Sequence, residues 1–575
     1  MKAMLLAVWK YSTKRERLVF YLLLFLMFVA ANLELLGIGL LLPVVALLTN
    51  PELIHQNYYL DLVYRILQPS STRSFLLLLC VLIACVYVLK NLFLIFVTWF
   101  QTRMIYAKSS RMNDRLFRTY VLAPYLFFLN RNTGDLMARL NAVRNEYNQF
   151  LISLLMLLTE FLNVVMIFAM FFFFVPGITL ILMGISLLVS LLIYFPLRKA
   201  NIRLGEESFR RMSEIYRNEL QTFNGIKEIR ILGTEGRFAD RNNDVMQRLN
   251  RSRCLLNLYG QLPRFLLEVA MVCGGVLLLT LYLLTNTAST SIILKLSLVA
   301  AGTVRLMPAL SRIQYHFTNM RHVQFSLDAV YRDLDTIPPE SVTASAEPVT
   351  FERELLIDDI SFRYEGSAET LFDRFSLRVP VNSSVAFVGR TGCGKTTLAD
   401  LIAGLLSPGS GRILADGRDI AANLRSWRSL IGYVPQYIYI MDDTILANVT
   451  LGTSGPVDEA RVWEVLRMAQ LEEFVRSLPD GLDTVVGENG DRLSGGQRQR
   501  IGIARALYHR PRILILDEAT SALDNETEKA FIDAIESLHG KLTMFIIAHR
   551  LSTTRGCSMV VDIAKSAKGE SLENK

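Results

Sequence analysis

The sequence predicts two unlike halves: a bundle of six membrane-crossing α-helices, then an α/β domain built around a phosphate-binding loop. Three observations carry this reading. Apolar residues fill 51% of the 575 positions, and they crowd into the part of the chain before Met320. Beyond it, charged and glycine-punctuated sequence alternates strand-like and helix-like segments. Within that second half, Gly389-Arg390-Thr391-Gly392-Cys393-Gly394-Lys395-Thr396 follows a short apolar strand, Ser384–Val388.

A hydrocarbon core requires about 20 apolar residues per helix. Runs of that length fall at 18–49, 74–100, 149–174, 177–197, 258–284 and 289–316. The expected division is a membrane domain at 1–335, a linker at 336–350 and an α/β domain at 351–575. The linker reading rests on the Pro/Ser/Ala-rich stretch Ile337–Thr350. The N-terminus lacks a cleavable signal's small-residue site, so the first apolar run reads as a retained span. Six scattered cysteines, none in an expected outer loop, imply no disulfide framework.

Loop charge sets the orientation. Segment 101–148 carries eight Lys/Arg and segment 198–257 carries thirteen, whereas the outer turn at Val175-Pro176-Gly177 carries none. By the positive-inside rule, both termini and the long loops are cytoplasmic. The net charge of +8 (61 Lys+Arg against 53 Asp+Glu) is accounted for in this way. No aromatic–basic interleaving points to a nucleic acid partner. The two inner loops keep helical periodicity and break at Ala123-Pro124 to Thr133-Gly134 and at Phe223-Asn224-Gly225 to Gly233. Those breaks are candidate contact points for the second domain.

The glycine-rich loop lets backbone N–H groups wrap phosphate oxygens, and the following helix N-terminus adds a favourable dipole. Lys395 is expected to neutralise the β- and γ-phosphates, and Thr396, followed by Thr397, to hold Mg²⁺. The second half of this machinery is the apolar strand Arg512-Ile513-Leu514-Ile515-Leu516-Asp517-Glu518. Asp517 at its end is expected to bind Mg²⁺ through water, and Glu518 to polarise the attacking water as general base. ATP and Mg²⁺ are therefore the expected ligands.

Leu493-Ser494-Gly495-Gly496-Gln497 lies between these two elements. With it the domain resembles the ABC ATPases. The resemblance implies that Tyr364 stacks on adenine and that Gln436 senses Mg²⁺ and the attacking water. It also implies that Ser521-Ala522-Leu523-Asp524 is the D-loop, with Asp524 at the nucleotide site, and that His549 contacts the γ-phosphate. In this family Ser494, Gly495, Gly496 and Gln497 of one subunit complete the site of the other. The working unit is then a dimer, most simply of two identical chains. Thr484–Gly490 resembles a loop found in exporters, and six spans fused ahead of the ATPase agree with a type IV ABC exporter-like fold. After His549 the family's usual hairpin is missing, which leaves the terminal strands unassigned.

Charge inside a membrane is expensive and usually functional. Lys90 and Arg305 lie ~24 Å below the outer surface, Arg312 ~35 Å, and Arg264 enters ~9 Å from the inside. A basic cluster at that depth suits a phosphate-bearing head group, because guanidinium matches phosphate oxygens bidentately. Internal pairing is the alternative: Arg264 with Glu268, or Lys90 with Glu34 or Glu160. The stretches Val304–Ile313, Leu262-Pro263-Arg264 and Tyr87-Val88-Leu89-Lys90 resemble bacterial lipid-linked oligosaccharide flippases of the PglK type. That resemblance implies a polyprenyl-pyrophosphate-linked glycan moved to the outer leaflet of a bacterial inner membrane. It also implies that Leu60, Val63, Tyr64 and Leu67 form an apolar helix face in the first outer loop. The competing readings are a multidrug or other lipid exporter and, from another class, an ATP-gated channel or regulator.

Overall fold

A computed structural model describes residues 2–49, 64–65, 72–174, 176–285, 306, 308–340, 347–453, 455–518, 538–547 and 556–566. The chain divides into two compact units. The first is Met1–Ala123 with Asn130–Pro338, and the second is Pro339–Lys575 together with Pro124–Leu129.

The first unit is helical throughout its described length. A short helix, Lys2–Lys10, leads into Lys14–Thr49. The second begins with a reciprocal cap: the Thr13 N–H donates to Glu16 Oε2 and the Glu16 N–H to Thr13 Oγ1. Three helices are far longer than a bilayer needs: Thr72–Val121 (50 residues), Pro176–Asn224 (49) and Glu235–Thr285 (51). Each runs about 75 Å against about 30 Å of hydrocarbon, so each continues well into water. The third span, Asn148–Phe174, extends inward through a π-helical turn, Val143–Tyr147, into Thr133–Ala142. Most of the sixth span lies outside the described residues, and its inner part is helical over 308–322. The helix breaks fall where the Pro and Gly residues are. Tyr125–Leu129 fills the first break and Ile226–Ile231 the second. Of the expected outer-loop face, Leu60, Val63 and Leu67 lie outside the described residues, while Tyr64 packs edge-to-face on Phe75 at 5.0 Å.

Two carboxylates at the end of helix Gln324–Thr336 tie the inner helices of this unit together. Asp333 is 1% exposed; it accepts from the Tyr120 hydroxyl at 2.8 Å and from Arg139, with Arg131 3.7 Å away. Asp335 accepts from Lys10 and Tyr11 at the surface. Helix 308–322 also approaches Pro176–Asn224 so closely at Gly205 that a Cβ there would overlap the His322 carbonyl.

The second unit contains two sheets. An antiparallel sheet has the order β2-β1-β4-β5, with β1 Glu354–Phe362, β2 Phe372–Pro380, β4 Ser410–Ala415 and β5 Arg418–Asp419. A parallel sheet has the order β6-β7-β8-β3-β9. Its strands are β3 Ser384–Val388, β6 Ile431–Val434, β7 Ile513–Asp517, β8 Thr543–Ile547 and β9 Met559–Asp562. Strands β7 and β8 are buried at every position, as central parallel strands must be when helices cover both faces. Trp427 fills the core between the sheets, its indole N–H donating to the Ile402 carbonyl at 2.8 Å. Leu126, from the first helix break, packs against this same core. Strand β9, left unassigned from sequence, pairs in parallel with β3 and closes the sheet edge.

Breaking a buried ion pair from one side costs about 3–5 kcal/mol, whereas an exposed pair is worth less than about 1 kcal/mol. Asp333→Ala is therefore expected to lower the thermal unfolding midpoint of the full chain by several degrees, and Asp335→Ala to leave it nearly unchanged. Differential scanning fluorimetry checks this, and equal shifts for the two variants would contradict it.

Candidate active site

The parallel sheet delivers the site by register. Phe387 on β3 and Asp517 on β7 both lie level with Ile547 of the intervening β8. Two strand spacings, about 10 Å, therefore separate the start of the glycine-rich loop from the carboxylate. On the other side of β7, Val434 pairs with Leu516, so Gln436 leaves the sheet beside Glu518. All these strands end at one edge, where ligands bind in open parallel sheets.

The loop itself requires glycine. Gly389 and Gly394 have φ of 143° and 103°, and a Cβ at Gly394 would strike Leu371 and Phe372. Gly394 then caps helix Lys395–Ile402. Lys395 is 6% exposed and its ammonium folds back into the loop, donating to the carbonyls of Gly389 (2.8 Å) and Arg390 (3.3 Å). Arg390, Thr391 and Gly392 are exposed on the outer side of the loop, and Cys393 is half-buried. Thr396 Oγ1 donates to Asp517 Oδ1 at 3.4 Å. That hydroxyl–carboxylate pair is the donor set of a magnesium site, so the residues fit Mg²⁺ together with a polyphosphate. Mg²⁺ would draw charge from the bridging phosphate oxygens. Burial holds the Asp517 carboxyl above its usual range, opposed by the bond from Thr396.

Glu518 follows with φ of 49°, a left-handed conformation that costs a non-glycine residue about 1–3 kcal/mol and is characteristic of functional sites. The turn brings its carboxylate to Gln436, whose Nε2 donates to Oε2 at 2.7 Å. Tyr364 stands edge-on to Phe362 at 5.0 Å, and its hydroxyl bonds Thr397 Oγ1 at 3.0 Å, which fixes the aromatic beside the loop helix. Ser494 caps helix Gly495–Tyr508 in a capping box with Gln497, and the Ser-Gly-Gly turn sits at that helix's N-terminus. Asp524 and His549 lie outside the described residues.

Two residues at the site carried no assignment from sequence. Asp400 is buried on the loop helix, and its carboxyl is pushed up to about 6, first by burial and then by the charge of Asp517. The Tyr433 hydroxyl points to Asp517 Oδ2 at 3.5 Å. A carboxylate in the buried run Thr397–Ile402 was the available signal for Asp400.

The chain matches the family described as ABC transporter over residues 372–521, and that described as ABC transporter transmembrane region over residues 36–262. It is 31% identical over 469 residues to the ATP-dependent lipid A-core flippase of Sodalis glossinidius (strain morsitans), covering 80% of this chain and 78% of that one. The chain belongs to the ABC transporter family. It is an exporter half-transporter of the type IV fold and an ATP-hydrolysing translocase, of a kind that functions as a dimer. The ATP-dependent lipid A-core flippase of Polaromonas sp. (strain JS666 / ATCC BAA-500) is 42% identical over 230 residues, 40% of this chain and 39% of its own. Among solved structures, a bacterial Atm1-family ABC exporter with ATP bound superposes with a TM-score of 0.77, covering 96% of this chain and 94% of that one at 22% identity. That likeness shows the fold alone.

The membrane cations are placed less uniformly. Arg312 is held by Glu160, with Nε to Oε1 at 2.6 Å and Nη2 to Oε2 at 3.1 Å. Its side chain stays 52% exposed, and Glu160 takes this arginine and not Lys90 as its ion-pair partner. The Lys90 ammonium lies over the Tyr87 ring, 4.6 Å from its centroid. Arg264 is exposed. Arg305 lies outside the described residues.

Removing a general base typically costs 10²–10⁴-fold in rate, about the range expected for Glu518→Gln. Phosphate release by the purified chain should fall by that amount while Mg-ATP is still retained on a filter. Release at the wild-type rate would contradict the assignment.

Proposed function

We propose that two copies of this chain form an ATP-driven flippase that moves a phosphate-bearing glycolipid from the inner to the outer leaflet of a bacterial inner membrane. The loop Gly389–Thr397 of one copy holds the nucleotide phosphates, Tyr364 stacks on the base, and Thr396, Gln436 and Asp517 hold Mg²⁺. Glu518 orients the attacking water, with His549 at the γ-phosphate. Ser494, Gly495, Gly496, Gln497 and Asp524 close the site from the other copy. The ATPase domain and both termini are cytoplasmic, consistent with the basic inner loops.

A second copy is supported by the unequal state of the two helix breaks. Leu126 of the first is packed in the ATPase core of its own chain. At the second, Phe223 (72% exposed), Ile231 (75%) and Leu232 (72%) form a bare apolar tip. An apolar tip beside charged loops calls for a protein cover, and the partner's ATPase domain supplies one.

The substrate class rests on one observation: a half-exposed guanidinium inside a membrane span. Two of Arg312's N–H groups serve Glu160, and the planar fork has five, so donors remain for a phosphate. Lys90, Arg264 and Arg305 add charge at neighbouring depths. A polyprenyl-pyrophosphate-linked oligosaccharide is the reading carried by the span-six motif. A lipid A-core glycolipid is the second reading, favoured by the names of the curated relatives. Both carry phosphate next to sugar and both use the same cations.

Translocation in proteoliposomes decides between them. The pyrophosphate-linked glycan is expected to become accessible at the outer face in an ATP-dependent manner, with lipid A-core moved slowly or not at all. The reverse preference selects the second reading. Arg305→Ala combined with Arg312→Ala is expected to slow translocation by about tenfold or more, the worth of one or two charge-assisted hydrogen bonds, while basal ATP hydrolysis continues. Unchanged translocation would remove the cationic site.

A further inference from the structure

Strand β6 brings a second side chain to the site besides Gln436. Tyr433 pairs level with Ile515 of β7. Side chains alternate along a strand, so Ile515 and Asp517 share one face of the sheet, and Tyr433 shares it with them. The Tyr433 ring packs against the core between the two sheets, and its hydroxyl reaches Asp517 Oδ2 at 3.5 Å. Thr396 Oγ1 donates to the other oxygen, Oδ1, at 3.4 Å. Each oxygen of this carboxylate is thus served by one hydroxyl, the first from β6 and the second from the loop helix.

The tyrosine is held firmly. The residue before it, Gly432, lies so close to helix Gly495–Tyr508 that a Cβ there would overlap the Ala506 carbonyl. The residue after it, Val434, is fully buried. The hydroxyl is also a permanent donor: burial first, and then the charges of Asp517 and Asp400, push it above the usual tyrosine range. Asp517 has need of such a donor. It is 4% exposed, and the buried Asp400 carboxyl lies near enough to feel its charge. A buried carboxylate is costly to keep unless its oxygens are hydrogen-bonded.

We propose that Tyr433 is a positioning residue for the magnesium of the nucleotide: its hydroxyl, donated to Asp517 Oδ2, fixes the plane of that carboxylate before the metal arrives. The inference rests on the reading of Asp517 as a magnesium ligand and adds to it a group that acts only through Asp517. Holding a ligand in its working orientation removes an ordering cost from binding. Phenylalanine at 433 would keep the ring in the core and leave Oδ2 without this donor. The effect then belongs to metal-dependent binding and to no other property of the site.

The affinity of the full-length protein for the non-hydrolysable nucleotide AMP-PNP, measured once with Mg²⁺ and once in EDTA, tests this. With Mg²⁺, Tyr433→Phe is expected to bind about tenfold more weakly than the wild type, the worth of one hydrogen bond to a charged group. In EDTA the two should bind equally, which also shows that the variant is folded. Tyr437→Phe, at a ring 85% exposed on the same segment, should match the wild type in both conditions. Equal weakening of Tyr433→Phe with and without Mg²⁺ would make the hydroxyl a packing contact and overturn the proposal. Asp517→Asn separates the two levels of the argument. If it loses Mg²⁺-dependent affinity and Tyr433→Phe does not, the tyrosine assignment falls and Asp517 keeps its role. If Asp517→Asn is also unaffected, the magnesium reading falls, and the proposal with it.

Discussion

The register of four parallel strands is the constraint on which this molecule depends. With Phe387, Ile547 and Asp517 level across β3, β8 and β7, the glycine-rich loop, the Asp517 carboxylate and Glu518 open at one sheet edge. A slip of one residue in β7 would turn Asp517 to the other face and carry Glu518 away from Gln436. The strands resist this because β7 and β8 are buried on both faces along their whole length. The strain at Glu518 is held by that same packing: its left-handed backbone survives because the strand before it cannot move.

The membrane half works by length. Helices of about 75 Å carry the membrane's geometry rigidly to the water-exposed breaks. The break at Pro124–Leu129 belongs structurally to the ATPase unit, so the first inner loop is fastened at its tip. The Asp333 cluster fastens Thr72–Val121, the helix Thr133–Ala142 and the helix before the linker to one buried carboxylate.

The glycine-rich loop and the Asp517–Glu518 pair were legible in the sequence because each is a contiguous motif. Gly389–Thr396 must be contiguous to wrap a phosphate, and Asp517 and Glu518 must be adjacent to end one strand. Helix breaks were legible for a similar reason, since Pro124 and Gly225 act on their own backbone. What the sequence hid is non-local. Glu160 and Arg312 are 152 positions apart, and nothing in either span marks the other as its partner rather than Lys90. Asp333 reads as one more charge on an amphipathic helix until Tyr120 and Arg139 arrive from elsewhere in the chain. Strand β9 was hidden because four residues, Met559–Asp562, become a strand only by pairing with β3.

The central claim is that each nucleotide lies between the phosphate loop of one chain and the Ser-Gly-Gly turn of the other. Two differently tagged copies, co-purified as mixed pairs, test it by vanadate trapping of labelled nucleotide. With Lys395→Ala on one copy and Ser494→Arg on the other, one site keeps an intact loop and an intact turn, and trapping should persist. With both substitutions on one copy and none on its partner, no site is whole, and trapping should vanish. The opposite pattern, trapping only when one copy is left intact, would show that each chain builds its own site and would contradict the account.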